Sequence, residues 1–489
     1  MRFNAFFKHM LIPFMIIFIT AAVPAQTVLA DDAEKTDVSG GDTLQKAAEE
    51  RAALPIQSNE VEGWPAGPQI GAESAILIDA DSDAILYAKN IHEHLYPAST
   101  TKLLTCLLAA ENGNLDDMVT FSQTAVSSVP QGGSNMGMDA GQSVTLEQCL
   151  YGIMVGSANE AANAVAEYVS GSIPKFTELM NKRAAELGCT DSHFVNANGI
   201  HDDNHYTSAY DLSLIAAAFF KNGTLAKIGN TPRYHFTPTA TQPDDFYLKN
   251  KHKLITHEIA CDGILGGKTG YTDQARETLV TCAQRGGIRL ICVVMKEESP
   301  DQFNDTVSLF DYGFSNFSKV NISDHESEYD ISGEIFSQSG VDLFGSSAPM
   351  ISVDPDSYVI LPNSADFSDT KSSIIYPRTS AGNSGTVADI RYTYHGAFIG
   401  EAAVNISGKA VSAVASQKNS QSSDPEYEKT VFINVKAVLI AVAGLMLIYC
   451  LVVFIRDTVK SYNFAYRNIN RARHVSKRRH RGSSHDIDF

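Results

Sequence analysis

Tyr96-Pro97-Ala98-Ser99-Thr100-Thr101-Lys102-Leu103-Leu104 is the stretch on which the reading of this chain turns. Pro97-Ala98 precedes Ser99, so the serine falls where a loop becomes a helix. Apolar residues then recur at Leu103, Leu104, Leu107, Leu108 and Ala110 until Gly113 stops the run, predicting a helix over Ser99–Asn112. A helix N-terminus carries unsatisfied N–H groups and the positive end of a dipole, an environment that suits a developing oxyanion. Lys102 lies one turn on, with its amine on the same face as the Ser99 hydroxyl. Lowered in pKa by burial or by a second cation, such a lysine takes the serine proton. Taken alone, the same letters describe a serine N-cap followed by a solvated lysine.

Two further segments remove that blander reading. Ser157-Ala158-Asn159 falls between helices predicted over Leu146–Met154 and Ala161–Val169. Ser157 is placed to relay a proton to a leaving amine, and Asn159 to hold a substrate amide or to orient Lys102. Gly266-Gly267-Lys268-Thr269-Gly270 opens a predicted strand, Ile264–Thr269, whose glycines let a peptide approach the backbone. Lys268 is the second positive charge that would depress the pKa of Lys102, and Thr269 offers a hydroxyl to a substrate carboxylate. An edge strand there can take an extended peptide by strand addition. Nucleophile, base, relay and anion subsite together fit acyl transfer through a serine ester.

Around these segments the chain organises into an α+β domain. Ser74–Asp79 and Ala84–Ala88 read as a hairpin, Lys175–Leu187 and Asp211–Lys221 as helices, and Thr278–Ala283 and Ile288–Met295 as hairpin strands. The catalytic unit is expected over residues 66–317, after a signal peptide (1–30) and a polar leader or linker (31–65) with order beginning near Pro65. Residues 318–410 read as a small all-β domain and 411–430 as a flexible linker.

Residues 431–456 are expected to form one transmembrane helix, since Ala437–Ile455 is nineteen residues without a formal charge. From Arg456 onward there are nine Lys and Arg against three Asp, which places the 457–489 tail in the cytoplasm and the catalytic domain outside. Lipid headgroups are the expected partner of that tail. A net charge of −18, even with the basic tail included, argues against nucleic acid as a partner. Hydrophobic residues at 44% and charged ones at 19% are ordinary for a globular chain of 489 residues with two or three domains.

Seven cysteines lack the spacing of a disulfide scaffold or a metal site. Cys282 and Cys292 flank a turn, and either face each other across a hairpin or are buried free thiols. His201, Asp202, Asp203 and His205 do not have a zinc spacing and read as a polar loop. No metal and no cofactor is expected.

From about Gly71 to Phe317 the chain resembles the D-alanyl-D-alanine carboxypeptidases, low-molecular-weight penicillin-binding proteins of the S11-like serine peptidase type. The resemblance is carried by Tyr96-Pro97-Ala98-Ser99, Asn198-Gly199-Ile200-His201, Ser208-Ala209-Tyr210-Asp211-Leu212, Gly267-Lys268-Thr269-Gly270-Tyr271-Thr272 and Tyr312-Gly313-Phe314. It implies a fold shared with serine β-lactamases, peptidoglycan stem peptides ending in D-Ala-D-Ala as substrates, and β-lactam antibiotics as inhibitors. Catalysis would fall to Ser99, Lys102, Ser157 and Asn159, and substrate binding to Lys268, Thr269, Gly270 and Tyr271. The oxyanion hole would be the backbone N–H groups of Ser99 and Tyr271.

Three positions depart from the family pattern, of which Glu160 after Asn159, where Asp is commoner, is minor. Ala275-Arg276 stands where Ala-Gly is usual, and Gln302 where an arginine often holds the substrate carboxylate. Arg276 is therefore expected to supply the missing cation. A serine β-lactamase of class A would carry a glutamate in an E-x-x-L-N context between Ser157 and Lys268, and none is present. A peptidoglycan-binding or regulatory protein on the same scaffold should have lost Ser99 or Lys102, and both are present. Intact residues do not prove activity, and with Gln302 in place of the arginine a catalytically weak binding protein stays open as the alternative. A transpeptidase would use the same residues as a carboxypeptidase.

Overall fold

The computed structural model describes residues 40–325, 351–376 and 386–406. Its centre is a five-stranded antiparallel sheet in the order Ile85–Lys89, Ser74–Asp79, Ile288–Glu297, Arg276–Arg285, Ile264–Thr272. Side chains on successive strand residues point to opposite faces, and both faces of the inner strands are apolar. Ile76, Ile78, Val280, Ile291 and Val293 pack against helices Lys102–Asn112, Leu146–Val155, Asn159–Ser170 and Ala209–Lys221. Leu77, Leu279, Leu290 and Val294 pack on the other side, under helix Asp301–Asn316. The α+β arrangement expected from the sequence is the one found.

The register settles the cysteine pair. Cys282 lies opposite Ile291 and Cys292 opposite Thr281, so the two thiols are one residue out of step and face different cores. Both are buried free thiols.

Order begins earlier than Pro65. A helix covers Gly40–Ala52 and a short 3-10 turn Gln57–Glu60. Ile56 and Trp64 are buried, with the Trp64 indole donating a 2.8 Å hydrogen bond to the Leu86 carbonyl. The polar composition of 31–65 hid this, because two isolated apolar anchors make no periodic pattern. Among the described residues past Phe317 the chain forms strands and one 3-10 turn, Phe367–Asp369: Phe317–Asn321 pairs with Tyr358–Pro362, and a four-stranded sheet runs Ile351–Val353, Ala397–Ile406, Thr386–Tyr394, Lys371–Ile375. Its apolar residues Val359, Leu361, Ile390 and Ile399 belong to the same core as Leu77 and Trp64. Residues 326–350 of the expected all-β domain, the signal peptide, the linker, the membrane span and the basic tail lie outside the described residues. Among the described residues no helix is long and apolar enough to cross a membrane.

Candidate active site

Ser99 sits in a 3-10 turn, Ala98–Thr101, that feeds the α-helix beginning at Lys102. The tighter turn arises because Thr100 and Thr101 bond backward: their hydroxyls donate to the Pro97 and Ala98 carbonyls at 2.7 and 2.8 Å. Ala98 is held at φ +49°, in the left-handed region that costs an L-residue about 1–2 kcal/mol. Gly199 makes that geometry possible, since a Cβ on it would lie 1.8 Å from the Ala98 oxygen.

Lys102 is completely buried. Its Nζ lies 2.8 Å from Ser99 Oγ and donates to Asn159 Oδ1 at 2.7 Å and to the Asn198 carbonyl. Burial, then the neighbouring Lys268 charge, holds its pKa well below the usual lysine value. Ser157 stands at φ +58° between the two helices that were predicted to flank it. Lys268 Nζ donates to Ser157 Oγ at 3.1 Å and to the Thr269 carbonyl at 2.8 Å. Burial first, and Lys251 second, lowers the Lys268 ammonium to about 7. Two lysines carrying reduced charge thus bracket two serine hydroxyls, an arrangement that can take a proton from one oxygen and return it elsewhere.

The Ile264–Thr272 strand is the edge of the sheet, as its proposed peptide-binding role requires. Gly270 brings it against the serine turn: a Cβ there would lie 2.9 Å from the Ser99 nitrogen and 2.3 Å from Thr278 Oγ1. Thr278 in turn donates to the Pro97 carbonyl at 3.0 Å. Ser99, Ser157, Asn159, Thr269, Gly270 and Tyr271 all line one cleft of about 730 Å³.

Arg276 does not line this cleft. Its guanidinium grips Glu298, with Nε at 3.1 and 3.2 Å from the two oxygens and Nη2 at 2.5 Å from Oε2. Arg51 shares that carboxylate at 2.9 Å. The expectation that Arg276 faces the substrate failed because it took no account of Glu298, which competes for the same cation. Gln302 does line the cleft, only 2% exposed, and its Oε1 has no partner.

Several supporting residues carried no sequence signal of their role. Asn198 bridges Lys102 to Asn163, donating at 2.9 Å to Asn163 Oδ1. His205 accepts from the Val195 N–H at Nδ1 and sits 2.8 Å from Thr101 Oγ1, while burial pulls its pKa to about 3. It is a neutral strut for the serine turn. Glu160 accepts from the Met136 N–H at 2.6 Å, and Asn159 N–H donates to the Ser134 carbonyl at 2.9 Å, so together they hold the 130–138 loop at the cleft mouth. His201 pairs with Asp203 at 3.4 Å. Among the described residues no group of three His, Cys, Asp or Glu is placed to hold a metal.

Comparison with known proteins agrees with this geometry. A family model described as D-alanyl-D-alanine carboxypeptidase matches residues 62–299. The D-alanyl-D-alanine carboxypeptidase DacF of Bacillus subtilis is 36% identical over 252 residues, 50% of this chain and 63% of that protein. The D-alanyl-D-alanine carboxypeptidase DacB2 of Mycobacterium tuberculosis is 32% identical over 257 residues, 51% of this chain and 84% of that protein. The solved structure of penicillin binding protein 5 from Haemophilus influenzae superimposes with a TM-score of 0.57 at 26% identity, covering 70% of this chain and 98% of that one. This chain belongs to the D-alanyl-D-alanine carboxypeptidase family of serine peptidases, the low-molecular-weight penicillin-binding proteins.

Proposed function

We propose that the protein is an extracytoplasmic, membrane-anchored D-Ala-D-Ala carboxypeptidase that trims peptidoglycan stem peptides through an acyl-enzyme on Ser99. The observation that carries this reading is the Lys102 amine, which has two carbonyl acceptors and one serine hydroxyl within reach. A neutral amine gives its two hydrogens to Asn159 and Asn198 and turns its lone pair to the Ser99 hydroxyl. Lys102 takes that proton as Oγ attacks the penultimate D-Ala carbonyl, and the oxyanion is held by the Ser99 and Tyr271 N–H groups. The C–N bond breaks as the proton held by Lys102 passes through the Ser157 hydroxyl, which Lys268 orients, to the D-alanine nitrogen, leaving Lys102 neutral again. Water then attacks the ester with Lys102 again as base, releasing the shortened peptide and restoring Ser99. β-Lactams would stop at the first half of this cycle.

The test is intact mass of the protein after exposure to a penicillin, with Ser99→Ala beside it, followed by an assay of D-alanine release from a D-Ala-D-Ala peptide. An adduct on the unsubstituted protein alone, with D-alanine released, supports the reading. No adduct on folded protein overturns it, and an adduct lost within seconds points to β-lactamase activity. Anchoring rests on the uncharged run Ala437–Ile455 and the basic tail. It predicts that the full chain sediments with membranes and that a chain ending at residue 430 does not.

A further inference from the structure

Carboxylate capture at this cleft needs a cation, and the cations near it are mostly committed. Lys102 is buried against Ser99, Asn159 and Asn198, and Lys268 against Ser157 and the Thr269 carbonyl. Arg276 is bound to Glu298 outside the cleft lining. Lys251 lines the cleft but donates at 3.0 Å to Ser134 Oγ, on the 130–138 loop. Lys253 is left. It lines the cleft with Thr269, Gln302 and Phe303, and its ammonium lies 5.7 Å from the centre of the Phe303 ring. Among the described residues it makes no hydrogen bond or ion pair through its side chain. Its chain neighbours His252 and Leu254 are fully buried, so its backbone is fixed. The acidic residues lining the cleft are Asp273 and Glu277; burial raises the Glu277 carboxyl, while the charges of Arg276 and Lys253 pull it part of the way back down.

Gln302 supplies the second, independent sign of a ligand. A buried amide oxygen without a partner costs free energy that a bound group can recover. A half-turn of its terminal torsion exchanges oxygen for NH₂ and presents two donors to the same space.

We infer that Lys253, with the Thr269 hydroxyl and the Gln302 amide, forms the subsite for the terminal carboxylate of the departing D-amino acid. This rests on the carboxypeptidase reading above. Lys253 is then a specificity-determining residue: it distinguishes a free C-terminal acid from a neutral C-terminus. Arg276 has no part in that choice.

The experiment compares kcat/KM for a blocked tripeptide ending in D-Ala-D-Ala with that for the same peptide ending in D-alaninamide. The acid-to-amide ratio is the readout, because a loss of folded or acylatable protein lowers both values and leaves the ratio alone. Lys253→Met and Lys253→Gln should each lower the ratio by about tenfold or more, the loss of one charge-assisted contact. Lys253→Arg should restore it, and Arg276→Ala should keep the unsubstituted ratio. An unchanged ratio in both neutral Lys253 variants, or a fall in Arg276→Ala, overturns the assignment. Failure of the unsubstituted protein to cleave either peptide instead overturns the carboxypeptidase reading, and the two failures are distinguishable.

Discussion

Lys102 and Lys268 share one electrostatic problem, and it fixes a measurable pH dependence. The base must be neutral to take the Ser99 proton, so acylation rises with pH through the lowered pKa of Lys102 and then levels. Burial is the larger cause of that lowering and the Lys268 charge the second. Lys268→Met removes the repelling charge, so the pKa of Lys102 should climb part of the way back. The acid limb of the penicillin acylation rate should therefore move to higher pH by about one unit. The position of the limb is the readout, since the loss of the Ser157 contact lowers the rate at every pH. A limb that stays in place would mean burial alone sets the base. At this scale Ser99, Lys102, Ser157, Asn159 and Lys268 were singled out by resemblance to the family's motifs together with their residue chemistry. The structure links Ser99, Lys102 and Asn159 in one set of hydrogen bonds and Ser157 with Lys268 in another. Asn198 and His205 were not given roles, because their contacts to Lys102 and Thr101 span 96 and 104 residues. No local pattern encodes them.

The serine turn, the Asn198-Gly199 loop and the edge strand meet where none of them has room for a side chain. Gly199, at φ +82°, abuts the Ala98 carbonyl, and Gly270 abuts the Ser99 nitrogen. Gly199→Ala places a Cβ where only backbone fits, and neither partner can yield without moving Ser99 away from Lys102. The expected result is a folded protein with a Tm lowered by a few degrees, from the 1–2 kcal/mol of left-handed strain or more. Its penicillin acylation rate should fall about a hundredfold, since a displacement of 1 Å costs that much. A variant that acylates at the original rate would show that the turn is held by Thr100 and Thr101 alone. The long elements were legible because their apolar periodicity is strong, and the bounds read for the central strands and helices fall within a few residues of those found. Short elements escaped. Met118–Thr120 with Ser143–Thr145, and Arg233–Phe236 with Phe246–Lys249, are paired strands of three or four residues, too short for alternation to register. The Gly40–Ala52 helix lies in a segment whose polar composition offered no more than a short possible helix, and its C-terminal end is tied down by Arg51 reaching Glu298 across 247 residues.

That long-range contact is part of a buried charged layer joining four elements behind the cleft. Glu297 closes a central strand, Asp305 lies on the Asp301–Asn316 helix, Arg51 comes from the first helix and Lys89 from the sheet edge. Asp305 accepts from the Gly71 N–H at 3.0 Å, Glu297 accepts from the Glu298 N–H at 2.7 Å, and Lys89 donates to the Ile70 carbonyl at 2.7 Å. Burial, then the Asp305 side chain, raises the Glu297 carboxyl from 4.5 to about 8. A carboxyl raised in the folded state binds its proton more tightly there than in the unfolded chain. Its stabilising contribution is complete below about 4.5 and is lost as pH rises through about 8. Lys102, Lys268, His205 and His252, whose folded pKa values are lowered, act in the opposite sense and make a raw pH–stability curve unreadable. They cancel in a difference between two proteins that share them. Glu297→Gln keeps the neutral shape of the side chain and removes its titration. The Tm of Glu297→Gln minus that of the unsubstituted protein should therefore climb from pH 5 to about pH 8 and level beyond it. A difference that stays flat across that window would mean Glu297 is already ionised at pH 5, and that the charges of Arg51 and Lys89 hold it so.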